Sequence, residues 1–110
     1  MPRFAVLAHD WPEPHFDLFL EAGSTLQSWK LPADFSPPAR SSILLGAPHR
    51  LLYLDYEGPV SAGRGSVSRW GVGEFRRISE TQVHFFGTRL AGLYEWLKDG
   101  TGQWTFGPVT

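Results

Sequence analysis

The chain has 110 residues, 42% of them hydrophobic and 15% aromatic, with a formal net charge of −1 and no cysteine. That composition excludes a disulfide scaffold, a zinc ribbon and thiol catalysis, and it fits a cytosolic setting. A near-neutral chain lacks the basic face with which proteins displace counterions along a duplex, so any contact with nucleic acid is expected at an end or a strand. The start, MPRFAVLAHDW, carries too short an apolar run for a signal peptide, and no segment reaches membrane-spanning length, so no membrane association is expected.

Short apolar runs broken by Gly, Pro and Asp recur along the chain. This spacing predicts strands near 3–8, 15–21, 25–31, 50–56, 65–71, 73–78, 81–86, 90–97 and 103–107. The predicted fold is all-β: one domain over residues 1–110, a small closed or nearly closed barrel of about eight antiparallel strands. EAGST (21–25) reads as a hairpin turn around Gly23, and Gly71 and Gly73 read as a second tight reversal. Residues 32–48, with four prolines, form the longest expected irregular connection, either a lid or a slack crossover. AGLYEWLK (91–98) fits a strand better than a helix, because of Gly92 and its aromatic bias.

Strand alternation puts His15, Asp17, Phe19 and Glu21 on one face and Phe16, Leu18 and Leu20 on the other. Ionisable groups on a half-buried face need compensation, and a cation is one way to supply it. His9 ends the preceding strand, and the stiff Trp-Pro-Glu-Pro linker (11–14) allows a tight return that sets His9 beside His15 and Asp17. Two imidazoles and a carboxylate leave coordination positions open, as catalytic sites do, and suit manganese, zinc or ferrous iron. The alternative is a satisfied or solvent-facing histidine pair. A second cluster, PHRLLYLDYEGP (48–59), offers His49 and the Tyr53 phenol as groups that bind a phosphate oxygen, with His49 also a general acid; otherwise Tyr53 is a half-buried strand aromatic. His84 reads as an outward-facing strand histidine, and the five tryptophans as core and barrel-end packing, with base stacking as the alternative for Trp11 or Trp70.

Taken in order, HD-x4-HFDLFLE, LQSW, H-x3-Y-x2-YEG, G-x-G-x-V-x3-W and L-x-G-x3-WL resemble the 3′-phosphoesterase domain of bacterial DNA ligase D, over about Arg3 to Lys98. The resemblance implies an eight-stranded barrel whose manganese-dependent site removes 3′ phosphates and 3′ ribonucleosides from DNA or primer ends during repair by end joining. Another transition metal, zinc included, is compatible with these ligand types. His9, His15 and Asp17 fall on the family's metal ligands, and His49 and Tyr53 on its phosphate-contacting and catalytic His and Tyr.

The sequence also departs from that pattern. Phe19 stands where the family has a catalytic Arg, Leu7 where it often has Gln, and the connection after Glu57-Gly58 is short. Arg64 or Arg69 is the expected substitute for the missing phosphate cation. The chain therefore reads as a divergent, free-standing phosphoesterase acting on 3′ ends, with a separate ligase or polymerase as partner. The alternative is a metal-containing module that binds nucleic-acid ends or a repair partner without turnover. A facial-triad oxygenase would need a longer chain and a basic residue for its co-substrate.

Overall fold

Periodicity of two dominates the computed structural model, which describes residues 1–110. The strands are β1 (Arg3–His9), β2 (His15–Ala22), β3 (Thr25–Pro32), β4 (Ser41–Leu45), β5 (His49–Arg50), β6 (Gly58–Pro59), β7 (Ser66–Arg77), β8 (Gln82–Gly87), β9 (Ala91–Lys98) and β10 (Trp104–Pro108). The order β1-β2-β3-β4-β10-β9-β8-β7 returns to β1 through β1–β7 pairing, which closes an eight-stranded antiparallel barrel. The two-residue strands β5 and β6 pair with β3 and β7 outside this ring.

Alternate residues divide into two apolar groups. Phe4 and Val6 of β1, Leu18 and Leu20 of β2, Trp29 and Leu31 of β3, and their counterparts around the ring fill the barrel with buried side chains. Ala5, Leu7, Phe19, Leu26 and Val67 face the other way and are covered by the Leu51–Leu54 segment, forming a smaller core on the outer wall. That outer layer is what turns one patch of barrel wall into a site.

The predicted hairpin at 21–25 is present. Gly23 has φ +65°, at the first of two turn residues, and the turn sets a register in which Ala22 faces Thr25 and Asp17 faces Lys30. The 91–98 segment is a strand, as its composition favours. His84 points away from the buried Val83 and Phe85 and stacks on Phe86, at a centroid distance of 4.3 Å.

Three expectations are corrected. Residues 50–56 do not form a strand: His49–Arg50 make a short bridge to β3, and Leu51–Leu54 then form a 3-10 turn. Leu51 and Leu54, three apart, both pack on the outer core, and that is the repeat of a 3-10 turn, not of a strand. The 32–48 connection contains β4, which bridges β3 and β10 and completes the ring. Its sequence hides this, because only Ile43 is buried while Leu44 and Leu45 are 67% and 63% exposed.

Gly71 and Gly73, finally, mark no reversal, since β7 runs unbroken from Ser66 to Arg77 with a register shift against β1 at Val6/Leu7. These glycines serve close approach. A Cβ at Gly73 would sit 2.3 Å from the Phe86 carbonyl oxygen, and one at Gly71 2.7 Å from that of Thr88.

The outer layer is also tied down by charge. Arg3 donates through Nη1 to Asp55 Oδ2 at 3.2 Å, and Arg69 Nη2 lies 3.8 Å from Asp55 Oδ1. The hydrogen bond from Arg3 holds the Asp55 carboxyl below its usual range. A carboxylate whose folded pKa is depressed adds stability above its unfolded value, about 4, and loses it as the pH falls through the folded value. Asp55→Asn should therefore lower the urea midpoint at pH 7 by a small amount, as an exposed pair implies. The gap to the wild type should close near pH 2; an equal gap at both pH values would show that the pair is not its source.

Candidate metal centre

His9 and His15 are cross-strand partners at the loop end of the β1–β2 hairpin, and Asp17 follows two residues further along β2 on the same outward face. The linker predicted to bring them together does so. His9 Nδ1 lies 3.4 Å from Asp17 Oδ2, and His15 Nε2 lies 3.2 Å from Asp17 Oδ1. One ligand atom from each residue lies within 4.8 Å of the others. Asp17 is only 8% exposed, so its carboxylate has largely lost water.

The remaining ring nitrogens decide what these atoms present to one another. His9 Nε2 is 2.8 Å from the carbonyl oxygen of Arg64, and His15 Nδ1 is 2.8 Å from that of Glu13. A carbonyl only accepts, so each of those nitrogens carries the hydrogen. In the neutral rings His9 Nδ1 and His15 Nε2 are then bare lone pairs directed at a carboxylate. Three lone-pair donors converging in a poorly hydrated place repel one another unless a proton or a cation sits among them. Histidine ligands are commonly oriented by this kind of backbone contact. The residues present fit a divalent cation.

Asp10, the D of the HD pair, helps build this arrangement. Its Oδ1 accepts from the Ser66 amide at 2.7 Å, while its own amide donates to the Ser66 carbonyl at 3.3 Å. Gly65, at φ +75°, lies so close that a Cβ there would be 2.2 Å from Asp10 Oδ1. Only glycine permits that contact, which seats the loop whose Arg64 carbonyl holds His9.

A cleft of about 300 Å³ opens over the three residues, and His49, Tyr53, Phe19, Lys30, Trp11 and Arg64 are among those lining it. His49 Nδ1 is bonded to the Ala47 carbonyl at 2.8 Å, so Nε2 is its unengaged nitrogen. Phe19 forms the apolar floor, with ring centroids 4.9 Å from His49 and 6.1 Å from Tyr53. The sequence reading thus assembles His9, His15, Asp17, His49, Tyr53 and Phe19 in one place.

The two arginines expected to replace a phosphate cation fare differently. Arg69 does not line the cleft and turns toward Asp55. Arg64 does line it, but its guanidinium donates to the Ser61 carbonyl at 2.9 Å and the Ser61 hydroxyl at 3.1 Å. The cation missed by sequence reasoning is Lys30, exposed on the outward face of β3 opposite Asp17. The signal was available: two turn residues at Gly23–Ser24 fix the register, and counting back from Ala22–Thr25 pairs residue 17 with residue 30. Trp11 lines the cleft at 42% exposure, where packing does not account for it.

Residues 7–98 match the family model described as the DNA ligase D 3′-phosphoesterase domain. Among curated proteins, the multifunctional non-homologous end joining DNA repair protein LigD of Mycobacterium tuberculosis (strain ATCC 25618 / H37Rv) is 26% identical across 92% of this chain. The multifunctional non-homologous end joining protein LigD of Pseudomonas aeruginosa PAO1 is 30% identical across 71% of it. The matched region spans only 15% and 10% of those two relatives' lengths. No helix of this chain is long and apolar enough to cross a membrane.

Proposed function

The chain belongs to the DNA ligase D 3′-phosphoesterase domain family, and from that premise we propose that it is a divalent-metal-dependent phosphoesterase that processes the 3′ ends of DNA or primer strands in end-joining repair. The observation that carries this reading is the convergence of His9 Nδ1, His15 Nε2 and the Asp17 carboxylate, with both imidazoles turned by backbone carbonyls so that their lone pairs face the cleft. These three residues would hold manganese, or zinc or another transition metal. A bound cation of this kind polarises a phosphoryl oxygen and makes water more acidic.

The remaining chemistry falls to the chain's own side chains. Hydrolysis of a 3′-phosphate breaks the bond between phosphorus and the 3′ oxygen, joins a water oxygen to phosphorus, and leaves the 3′ oxygen in need of a proton. His49, protonated, keeps its bond to the Ala47 carbonyl and presents Nε2–H to that oxygen as general acid. Tyr53, across the Phe19 ring, donates its hydroxyl to a phosphoryl oxygen. The product is a free 3′-hydroxyl, the end that a ligase or polymerase requires. A terminal phosphate or ribonucleoside in one cleft also suits a chain whose net charge is −1.

Incubation with Mn2+ and a 3′-phosphorylated primer-template should release inorganic phosphate and leave an extendable primer. The absence of both would overturn the hydrolytic reading. The apolar Phe19 floor favours a second reading, a metal-containing module that holds nucleic-acid ends or a repair partner without turnover. Retention of the same 3′-phosphorylated end without phosphate release selects it.

A further inference from the structure

We propose that Lys30 is the anion-binding residue of the cleft, and that it tunes the site to a terminal phosphate monoester in preference to an internal phosphodiester. The inference rests on the reading of the cleft as a 3′-end site and names the group that recognises the end.

Lys30 and Arg64 are the two cationic side chains that line the cleft. Arg64 has two guanidinium nitrogens committed to Ser61. Two arginines of the outer layer, Arg3 and Arg69, both approach Asp55, and Arg50 lies outside the cleft. Lys30 takes part in no ion pair, although it faces Asp17 across the β2–β3 ladder, because both Asp17 oxygens point to the histidines. Its side chain is exposed and its four-carbon stem is flexible, so the ammonium is free to follow an anion.

Position adds a second argument. Lys30 and His15 line both the cleft and an adjoining groove bounded by Pro12–Pro14, Leu31–Ala33 and Ser42–Leu44. Lys30 therefore stands where the cleft passes into this groove. The floor of the cleft, Phe19, supplies no charge, so a phosphoryl group resting there meets its fixed positive charge from β3.

Charge balance gives the specificity. A histidine that gives its lone pair to a cation is neutral, so Asp17 with a divalent cation would leave a net charge of +1 at the three ligands. Lys30 adds one positive charge to this and to the Arg64 guanidinium, whose bonds to Ser61 leave its charge in place. A terminal phosphate carries roughly −1.5 to −2 at neutral pH, and a diester carries about −1. Each positive charge in the cleft favours the monoester over the diester, and Lys30 supplies the one whose ammonium is free to move onto a terminal phosphoryl group.

Fluorescence anisotropy with Mn2+ and two labelled oligonucleotides tests this. One ends in a 3′-methylenephosphonate, a dianion whose carbon–phosphorus bond is not hydrolysed, and the other in a 3′-hydroxyl. The wild type should prefer the phosphonate end. Lys30→Gln should cut that preference about tenfold with little change in affinity for the hydroxyl end, and Lys30→Arg should retain most of it. The exposed position predicts an unchanged circular dichroism spectrum for both variants. Full preference in Lys30→Gln overturns the assignment of Lys30 alone. Absence of preference in the wild type overturns the 3′-end reading, and this inference with it.

Discussion

His15→Ala should lose more than about 100-fold in Mn2+ affinity, and with it the stabilisation that Mn2+ gives the wild type. The argument needs no assumption about turnover. With both imidazoles neutral, His9 Nδ1 and His15 Nε2 turn lone pairs toward Asp17 at 3.4 and 3.2 Å. Filling that space with a cation converts repulsion to attraction, and folding gains the binding energy by mass action. At a Mn2+ concentration 100 times Kd this is about 2.7 kcal/mol, which for a domain of this size raises Tm by roughly 10–20 °C.

Removing His15 takes away one of three donors, whereas loss of an outer partner alone typically costs 10–100-fold. It also leaves the Glu13 carbonyl without its donor and the linker less firmly seated. The metal-free variant should nonetheless keep most of its stability, because one of the facing lone pairs is gone. Thermal melts of both proteins with and without Mn2+ decide the matter. Equal Mn2+-induced shifts would mean that the cation binds elsewhere.

The site was legible where it depends on one strand and a short return. His15, Asp17 and Phe19 are related by a period of two, and His9 and His15 by a proline-stiffened linker, so their meeting follows from local geometry. His49 and Tyr53 were placed at the site by ordered family motifs, and their expected local structure was wrong. The strand pattern over 50–56 was accidental: Leu-Leu-Tyr-Leu satisfies a period of two as readily as the three-residue repeat it adopts.

Other features depended on partners distant in sequence. β4 shows one buried residue and two exposed leucines, so no face can be read from it; its identity comes from the two strands it bridges. Gly71 and Gly73 signalled an unusual backbone need, and the need is for contact with Thr88 and Phe86, not for a turn. Arg69 carries the right charge but is drawn to Asp55, and nothing near residue 69 in the sequence announces that pairing.

Phe19→Arg should show the two demands on the cleft floor working against each other. Phe19 is 2% exposed, packs in the outer core with Leu7, Leu26 and Leu54, and pairs with Ala5 on β1 and Ser28 on β3. Deleting a buried Phe outright costs about 3–5 kcal/mol. An Arg stem recovers part of that packing, but its guanidinium must leave the floor between His49 and Tyr53 to reach water or an anion. A loss of about 3 kcal/mol, or roughly 10–20 °C in Tm, is expected.

Below its melting temperature the same variant should release phosphate from a 3′-phosphorylated primer faster than the wild type, because a guanidinium stabilises charge developing on the phosphoryl oxygens. The gain should be larger in a Lys30→Gln background, where the cleft has no other free cation. Two observations would contradict this. A melting temperature within a degree or two of the wild type would mean that the floor is not packed as described. Equal gains with and without Lys30 would mean that residues 19 and 30 do not serve the same anion. A coupled gain makes Phe19 a trade in which packing of the outer core is kept and the phosphate's positive charge comes from β3.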